Sequence, residues 1–397
     1  MPTTLGLHNH QSSRSLESAI YLPDDVKTLP ELFRDAGYYT FNRGKDDYNF
    51  MYRRDRLYDG AYVPHYWYGW AGEGHWRHRQ PNQPFFGQIQ LYGGKEPQVQ
   101  DPTDNIDRNL VDLPPYYPDH PVLREEWAKH HDCIRVTDQH VGALLEELRA
   151  DGLLENTIVF FFSDHGMKGM RHKQFCYDGG LHVPLIITDY RRQAVLQTGA
   201  VRTDLVSSID VAATSLTLAG IPIPEYMESR DLFASDFVPR DYIIAGRDRC
   251  DFTIDHIRAV RTQRYKYLRN FLTDRPLMQP NYRDGSEPYL VQKQLYAEGK
   301  MTAEQAQFWS QERPAEELYD LQSDPHEIHN LADNPQYSDV LEKLRAVLEN
   351  WMKETDDQGQ YPESVEGLRF MYERHGERCV NPEFEIVRNT PRNMKLW

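Results

Sequence analysis

Five consecutive apolar residues, Ile158 to Phe162, stop abruptly at Ser163-Asp164-His165-Gly166. A wholly apolar run this short predicts a buried parallel strand rather than a helix. Gly166 permits a sharp turn after it. In open α/β sheets, polar residues just past the end of a buried strand occupy the usual place for chemistry. Asp164 offers a hard oxygen ligand and His165 an imidazole, and on one tight turn both can face a single divalent ion. The same residues also suit a turn cap and a local hydrogen bond. Within the next residues, Arg171, His172, Lys173 and His182 gather basic and titratable groups, a pattern that favours an anion site.

The surrounding pattern alternates strand and helix. Thr28 is a good N-cap, and Leu29, Leu32, Phe33 and Ala36 form an apolar helical face that ends at Gly37. Tyr38 to Phe41 reads as a strand leading to Gly44-Lys45-Asp46-Asp47, and Pro84 to Leu91 as another, ending near Lys95. Trp127, Ile134, Val141, Leu144, Leu145 and Leu148 recur at helical spacing, with Asp138 and His140 expected on the solvent side. Pro184 to Thr188 is a further strand and residues 204–219 a further helix, stopped by Gly220. This order predicts a mostly parallel sheet with helices on both faces. Beyond residue 235, strands at 242–251 and 260–268 and a helix near 340–352 predict a small antiparallel sheet with its own cover. We therefore divide the chain into an α/β core (1–235), an α+β subdomain (236–357) and an irregular tail (358–397).

Bulk properties narrow the functional classes. The 397 residues carry 45 basic against 61 acidic groups, a net charge of −16, which argues against general affinity for nucleic acid or anionic membranes. An acidic protein acting on an anion must concentrate its cations locally. Cys133, Cys176, Cys250 and Cys379 lie far apart, so neither a zinc ribbon nor a disulfide scaffold is indicated. No apolar run approaches the roughly 18 residues a membrane-spanning helix needs.

Ser163-Asp-His-Gly166, Lys173 four residues before Tyr177-Asp-Gly-Gly180, and His182-Val-Pro-Leu-Ile together resemble the type I sulfatases of the alkaline-phosphatase superfamily. Three further segments agree in order: 22–40 with the following Gly44-Lys45, Arg258 to Tyr267, and Glu317 to Leu331. The resemblance implies an alkaline-phosphatase-like fold and hydrolysis of a sulfate ester, with sulfated carbohydrate as the expected partner. It implies that Lys45 and Lys173 clamp the sulfate, with His172 near the leaving oxygen. Asp164 and His165 would hold one calcium ion with two further aspartates. Where the family commonly has a histidine as proton donor, this chain has Lys95, which binds an ester anion readily but donates a proton at neutral pH only if its pKa is lowered. Where a second histidine usually follows the clamp lysine, this chain has Asp47.

Met1 to His10 resembles the family segment just past the nucleophile helix. On that alignment the first strand, the other metal-binding aspartates and the Cys/Ser-x-Pro-x-Arg motif that yields formylglycine lie upstream of Met1, and none of the four cysteines is followed by x-Pro-x-Arg. The 397 residues are then expected to be inactive alone, and export to the periplasm or medium is expected if a leader precedes them. A phosphodiesterase or phosphonate hydrolase of the same superfamily, or a non-catalytic sulfated-glycan-binding protein, are the competing readings. Two features stay open. The aromatic stretch holding Tyr52, Tyr58, Tyr62, Tyr66, Trp67, Tyr68, Trp70 and Trp76 suits sugar stacking or plain packing. Arg247, Asp248 and Arg249 suit either substrate contact, Arg249 above all, or an ion-pair network.

Overall fold

In the computed structural model, which describes residues 3–11, 17–46, 48–59, 70–71, 74–95, 105–191 and 198–388, Thr28 fixes the first helix. Its backbone N–H donates to the Glu31 carboxylate at 2.8 Å, half of a capping box, and Pro30 fits the first turn of α1 (Leu29–Asp35). Gly37, at φ 88°, turns the chain into β1 (Tyr39–Lys45). β1 pairs antiparallel with the short β2 (Trp70–Ala71) and parallel with β3 (Phe85–Ile89). Phe41 in β1 and Trp76 are buried against Leu148 of the long helix α2 (Pro121–Ala150), which starts on a His120 cap and Pro121.

β4 (Ile158–Phe162) departs from the expected parallel register. It runs antiparallel to β5 (Leu185–Asp189), with Ile158 opposite Asp189, and Phe162 and Ile186 are 47% and 57% exposed. An apolar run reports that side chains seek cover, not the direction of a partner strand, and here the loop between the strands doubles back. The Ser163 N–H meets the Pro184 carbonyl at 3.4 Å, and the Gly166 N–H meets the Gly180 carbonyl at 3.1 Å. Gly166 is required for that return, because a Cβ there would lie 1.8 Å from the Gly179 carbonyl oxygen. Among the described residues, β1 with β3 is the parallel pair.

Helix α3 (Asp210–Leu218) precedes the C-terminal unit, an antiparallel sheet of β6 (Tyr242–Arg247), β7 (Ile257–Thr262), β8 (Tyr265–Asn270) and β9 (Glu316–Asp320). Between β8 and β9 the chain inserts α4 (Glu287–Ala297). One face of this sheet is covered by α5 (Ser338–Glu354), whose Leu341, Leu344 and Leu348 pack on Val260, Tyr267 and Leu318. The other face shares a core with the preceding unit: Tyr116, Leu123, Phe175 and Tyr177 lie with Ile257, Ala259, Leu268 and Phe308. The segment expected to be an irregular tail contains α6 (Val365–His375), capped by Ser364 and closed by Gly376 at φ 56°. Leu368, Phe370 and Met371 on its apolar face join Phe252, Phe384 and Val387 in a buried cluster. No helix among the described residues is long and apolar enough to cross a membrane.

Candidate anion-binding site

The parallel pairing of β1 and β3 sets two basic groups side by side. Arg43 lies opposite Ile89, so the strands end together, β1 at Lys45 and β3 just before the turn Gly93–Lys95. Gln90 locks the junction: its side-chain oxygen accepts from the Lys45 N–H at 3.1 Å, and its amide donates to the Lys45 carbonyl at 2.6 Å. Gly44 allows this approach, since a Cβ there would meet Gln90 Cβ at 2.7 Å. Asp46 turns away from this end and pairs with Arg54 at 2.8 Å, buried. Asp47 lies outside the described residues.

The turn after β4 meets the same end from the other side. Lys95 Nζ is 3.4 Å from His165 Nε2, and His165 Nε2 is 3.6 Å from Asp164 Oδ2. His165 Nδ1 faces the Gly166 carbonyl at 2.6 Å, which fixes the proton on Nδ1 and leaves Nε2 with a lone pair. Burial, the largest influence, holds the His165 pKa below its ordinary value. Asp164 is 78% exposed. Lys173 comes from the same return loop, its ammonium over the Tyr282 ring at 5.5 Å and within reach of Lys95.

These three lysines repel one another. Partial desolvation of the Lys95 ammonium, then the charge of Lys173, and more weakly that of Lys45, lower its pKa to about 8, against an opposing pull from Asp164. Among the described residues neither Lys95 nor Lys173 forms an ion pair with a carboxylate. Such a cluster gains stability from any anion that settles between its members, and within a chain of net charge −16 it is a local reversal of sign. A lysine with a pKa near 8 is also charged yet able to release a proton near neutrality.

The structure places the other candidate residues elsewhere. His172 is 7% exposed, with Nε2 at 3.2 Å from the Tyr116 hydroxyl and Nδ1 at 2.9 Å from the Gly179 carbonyl. Burial pushes its pKa down to about 4, so it is a neutral packing residue, not a leaving-group contact. Arg171 is 1% exposed and lies over Tyr116, Tyr177 and Phe308 at 4.2–4.7 Å. Of the basic cluster 171–173, only Lys173 reaches the site. Arg249 is 2% exposed and grips Glu363 through two bonds of 2.5 and 2.6 Å, while its third nitrogen donates to the His10 and Asp251 carbonyls. With its donors occupied it serves the fold, not a substrate. Of the aromatic stretch, Tyr58 and Trp76 are core residues, while Tyr62, Tyr66, Trp67 and Tyr68 lie outside the described residues.

Two positioning residues carried no sequence signal. Arg283 donates to the Lys168 carbonyl at 2.6 Å and to Gln174 Oε1 at 2.7 Å, clamping the loop that presents Lys173, and Tyr282 lies beneath its ammonium. Both are more than a hundred residues downstream. The loop is also held from the C-terminal sheet, where the fully buried Lys266 of β8 reaches Asp178 and, at 2.7 Å, Glu327.

Asp164 and His165 fit a divalent cation in chemistry, with one oxygen and one imidazole lone pair converging. Two donors are a minority of the six to eight ligands calcium takes, so the described residues alone do not close such a site.

Comparison with known proteins assigns this chain to a family. The sulfatase family profile matches residues 1–221. An ulvan-active sulfatase of Formosa agariphila is 33% identical over 411 residues, covering 91% of this chain and 66% of that protein. The N-sulphoglucosamine sulphohydrolase of Homo sapiens is 28% identical over 288 residues, covering 66% of this chain and 53% of its own length. The chain thus spans between about half and two thirds of these curated relatives. A solved 2-O GAG sulfatase superposes with a TM-score of 0.60 at 19% identity, covering 91% of this chain and 81% of that one, which shows the shared alkaline-phosphatase-like α/β fold. On its sequence match and its fold, the chain belongs to the sulfatase family, whose members use a divalent metal.

Proposed function

We propose that this chain forms the larger part of a sulfatase that removes sulfate from a sulfated carbohydrate. The observation that carries this reading is the convergence of Lys95 and Lys173 on the Asp164–His165 turn, with Lys45 near enough to act on Lys95. A sulfate ester has anionic oxygens to neutralise and a poor alkoxide leaving group. Lys45 and Lys173 suit the first task, and Lys95, with its lowered pKa, suits the proton transfer. Calcium is the ion we assign to Asp164 and His165, where it would add positive charge beside the sulfate oxygens. The ulvan-active and N-sulphoglucosamine relatives support a sulfated saccharide as substrate class.

The nucleophile of this reading is a formylglycine, and its Cys/Ser-x-Pro-x-Arg source motif does not occur in the 397 residues. We therefore expect these residues alone to bind sulfated oligosaccharide without turnover. The test titrates the protein with a sulfated oligosaccharide and its desulfated counterpart, then repeats turnover assays on the protein extended by its upstream coding sequence. Preference for the sulfated ligand, with aryl sulfate turned over faster than aryl phosphonate by the extended form, supports the proposal. Equal affinity for both ligands, or preferred turnover of the phosphonate, overturns it.

A further inference from the structure

A second cluster of ligand-type side chains has no part in the proposed reaction. His10, Cys250 and Asp251 each offer one ligand atom, and the three atoms lie within 4.8 Å of one another. His10 Nδ1 is already 3.1 Å from Asp251 Oδ1. Among the described residues this is the one group of three or more such side chains so arranged. The two chain segments are fixed against each other: the His10 N–H donates to the Arg249 carbonyl at 3.0 Å, and the Arg249 N–H donates to Asn9 Oδ1 at 3.1 Å. The adjacent Arg249 charge is answered by Glu363 and does not need Asp251.

Two side-chain amides border the cluster. Gln11 is 3% exposed and its Oε1 has no hydrogen-bond partner, although its Nε2 lies 3.4 Å from Asp251 Oδ1 and 3.5 Å from His10 Nε2. Side-chain amide oxygen and nitrogen exchange places by a half-turn, so the oxygen can take that position facing the same point. Gln174 stands on the Cys250 side, where its side chain interacts with the sulfur, while its Oε1 is held by Arg283. A thiolate, an imidazole and a carboxylate form a ligand set for zinc-class transition metals rather than for calcium. Metal–ligand bonds of about 2.0–2.3 Å place tetrahedral ligands about 3.5 Å apart, so the His10–Asp251 pair is in range and the cluster needs a contraction of about 1.3 Å at most.

We propose that His10, Cys250 and Asp251, with the Gln11 amide oxygen as fourth ligand, bind one zinc-class divalent cation that staples the N-terminal segment to the turn after β6. The site is separate from Asp164 and His165 in residues and in chemistry, since only this one contains a thiol. It stands whether or not the sulfatase reading holds.

The test uses the full chain, stripped of metal and kept in excess calcium and magnesium. Addition of cobalt(II) gives a thiolate-to-metal charge-transfer band that saturates at one equivalent and is displaced by zinc(II). Zinc also slows alkylation of Cys250, the cysteine of the four that is not buried. Cys250→Ser abolishes the band, and His10→Gln and Asp251→Asn each weaken zinc binding at least tenfold, with circular dichroism confirming that the variants fold. Absence of the band in the unaltered protein overturns the proposal even if every variant misfolds. So does a band that survives Cys250→Ser, or zinc protection of Cys250 that His10→Gln and Asp251→Asn leave unchanged.

Discussion

Two regions of this molecule are rich in positive charge, and they could hardly differ more. In the first, Lys45, Lys95 and Lys173 crowd together at a strand end without ion pairs to Lys95 or Lys173 among the described residues. In the second, beneath the C-terminal sheet, each cation is buried with its acid. Arg258 holds Asp357 at 2.7 Å and Asp248 at 3.0 Å, Arg249 holds Glu363, and Arg313 holds Asp255 at 2.7 Å. The buried pairs compensate a desolvation penalty and serve the fold. Lys95 and Lys173 have no carboxylate partner among the described residues, and in the proposed function they serve a ligand. A basic residue type says little about function until its burial and its partners are known.

The contrast breaks most visibly in the buried network. Arg258→Ala strands the fully buried Asp357 carboxylate and should lower stability by about 3–5 kcal/mol, read as a fall in urea midpoint. Arg249→Ala should likewise act on stability and not on ligand selectivity. A loss of sulfated-ligand affinity in a folded Arg249→Ala protein would erase the distinction.

Lys173→Ala inverts this pattern. Loss of one charge-assisted contact, about 1.5–3 kcal/mol, corresponds to roughly a ten- to hundredfold fall in affinity for a sulfated oligosaccharide. Its unfolding free energy should stay within about 0.5 kcal/mol of the parent. Calorimetric titration and urea unfolding of the same preparation separate the two effects.

Lys95 sharpens the comparison through pH. With its pKa lowered to about 8 it is charged below that value and neutral above, so anion affinity should be greatest below pH 8 and fall as pH rises through it. Bound anion favours the charged form and moves the fall to higher pH at saturation. Lys95→Arg should keep its affinity across the same range, measured by titration at each pH.

The last effect concerns His172 and is confined to acid pH. Its folded pKa of about 4 lies below its unfolded value of about 6.5, so the unfolded chain binds more protons between them. Stability should fall as pH drops through that window, and His172→Gln should flatten this part of the acid-unfolding curve. A variant with unchanged acid sensitivity would show that His172 is not the buried neutral group described above.

Much of the site was legible because its signals are local. The apolar run Ile158–Phe162 ending in Ser-Asp-His-Gly placed Asp164 and His165 on a turn, and the strand ends placed Lys45 and Lys95. His172 was not legible as a structural residue, and for Arg249 the sequence left substrate contact and an ion-pair network both open. Both sit beside site or turn positions, and the contacts that hold them in the fold come largely from Tyr116 and Glu363, distant in sequence. Arg283 and Tyr282 were hidden for the same reason, since nothing near residue 283 marks it as the support for a loop at 168–174.

Periodicity, turn residues and charge type therefore determined the elements of this chain, their order, and the family resemblance. They could do so because each depends on neighbours within a few residues. Strand direction, as in the antiparallel return of β5 onto β4, was decided only in three dimensions, and so was the sorting of cations into exposed and buried sets. Both depend on what a side chain or strand edge meets after the chain has doubled back, and burial and pairing energies are properties of that meeting rather than of the residue.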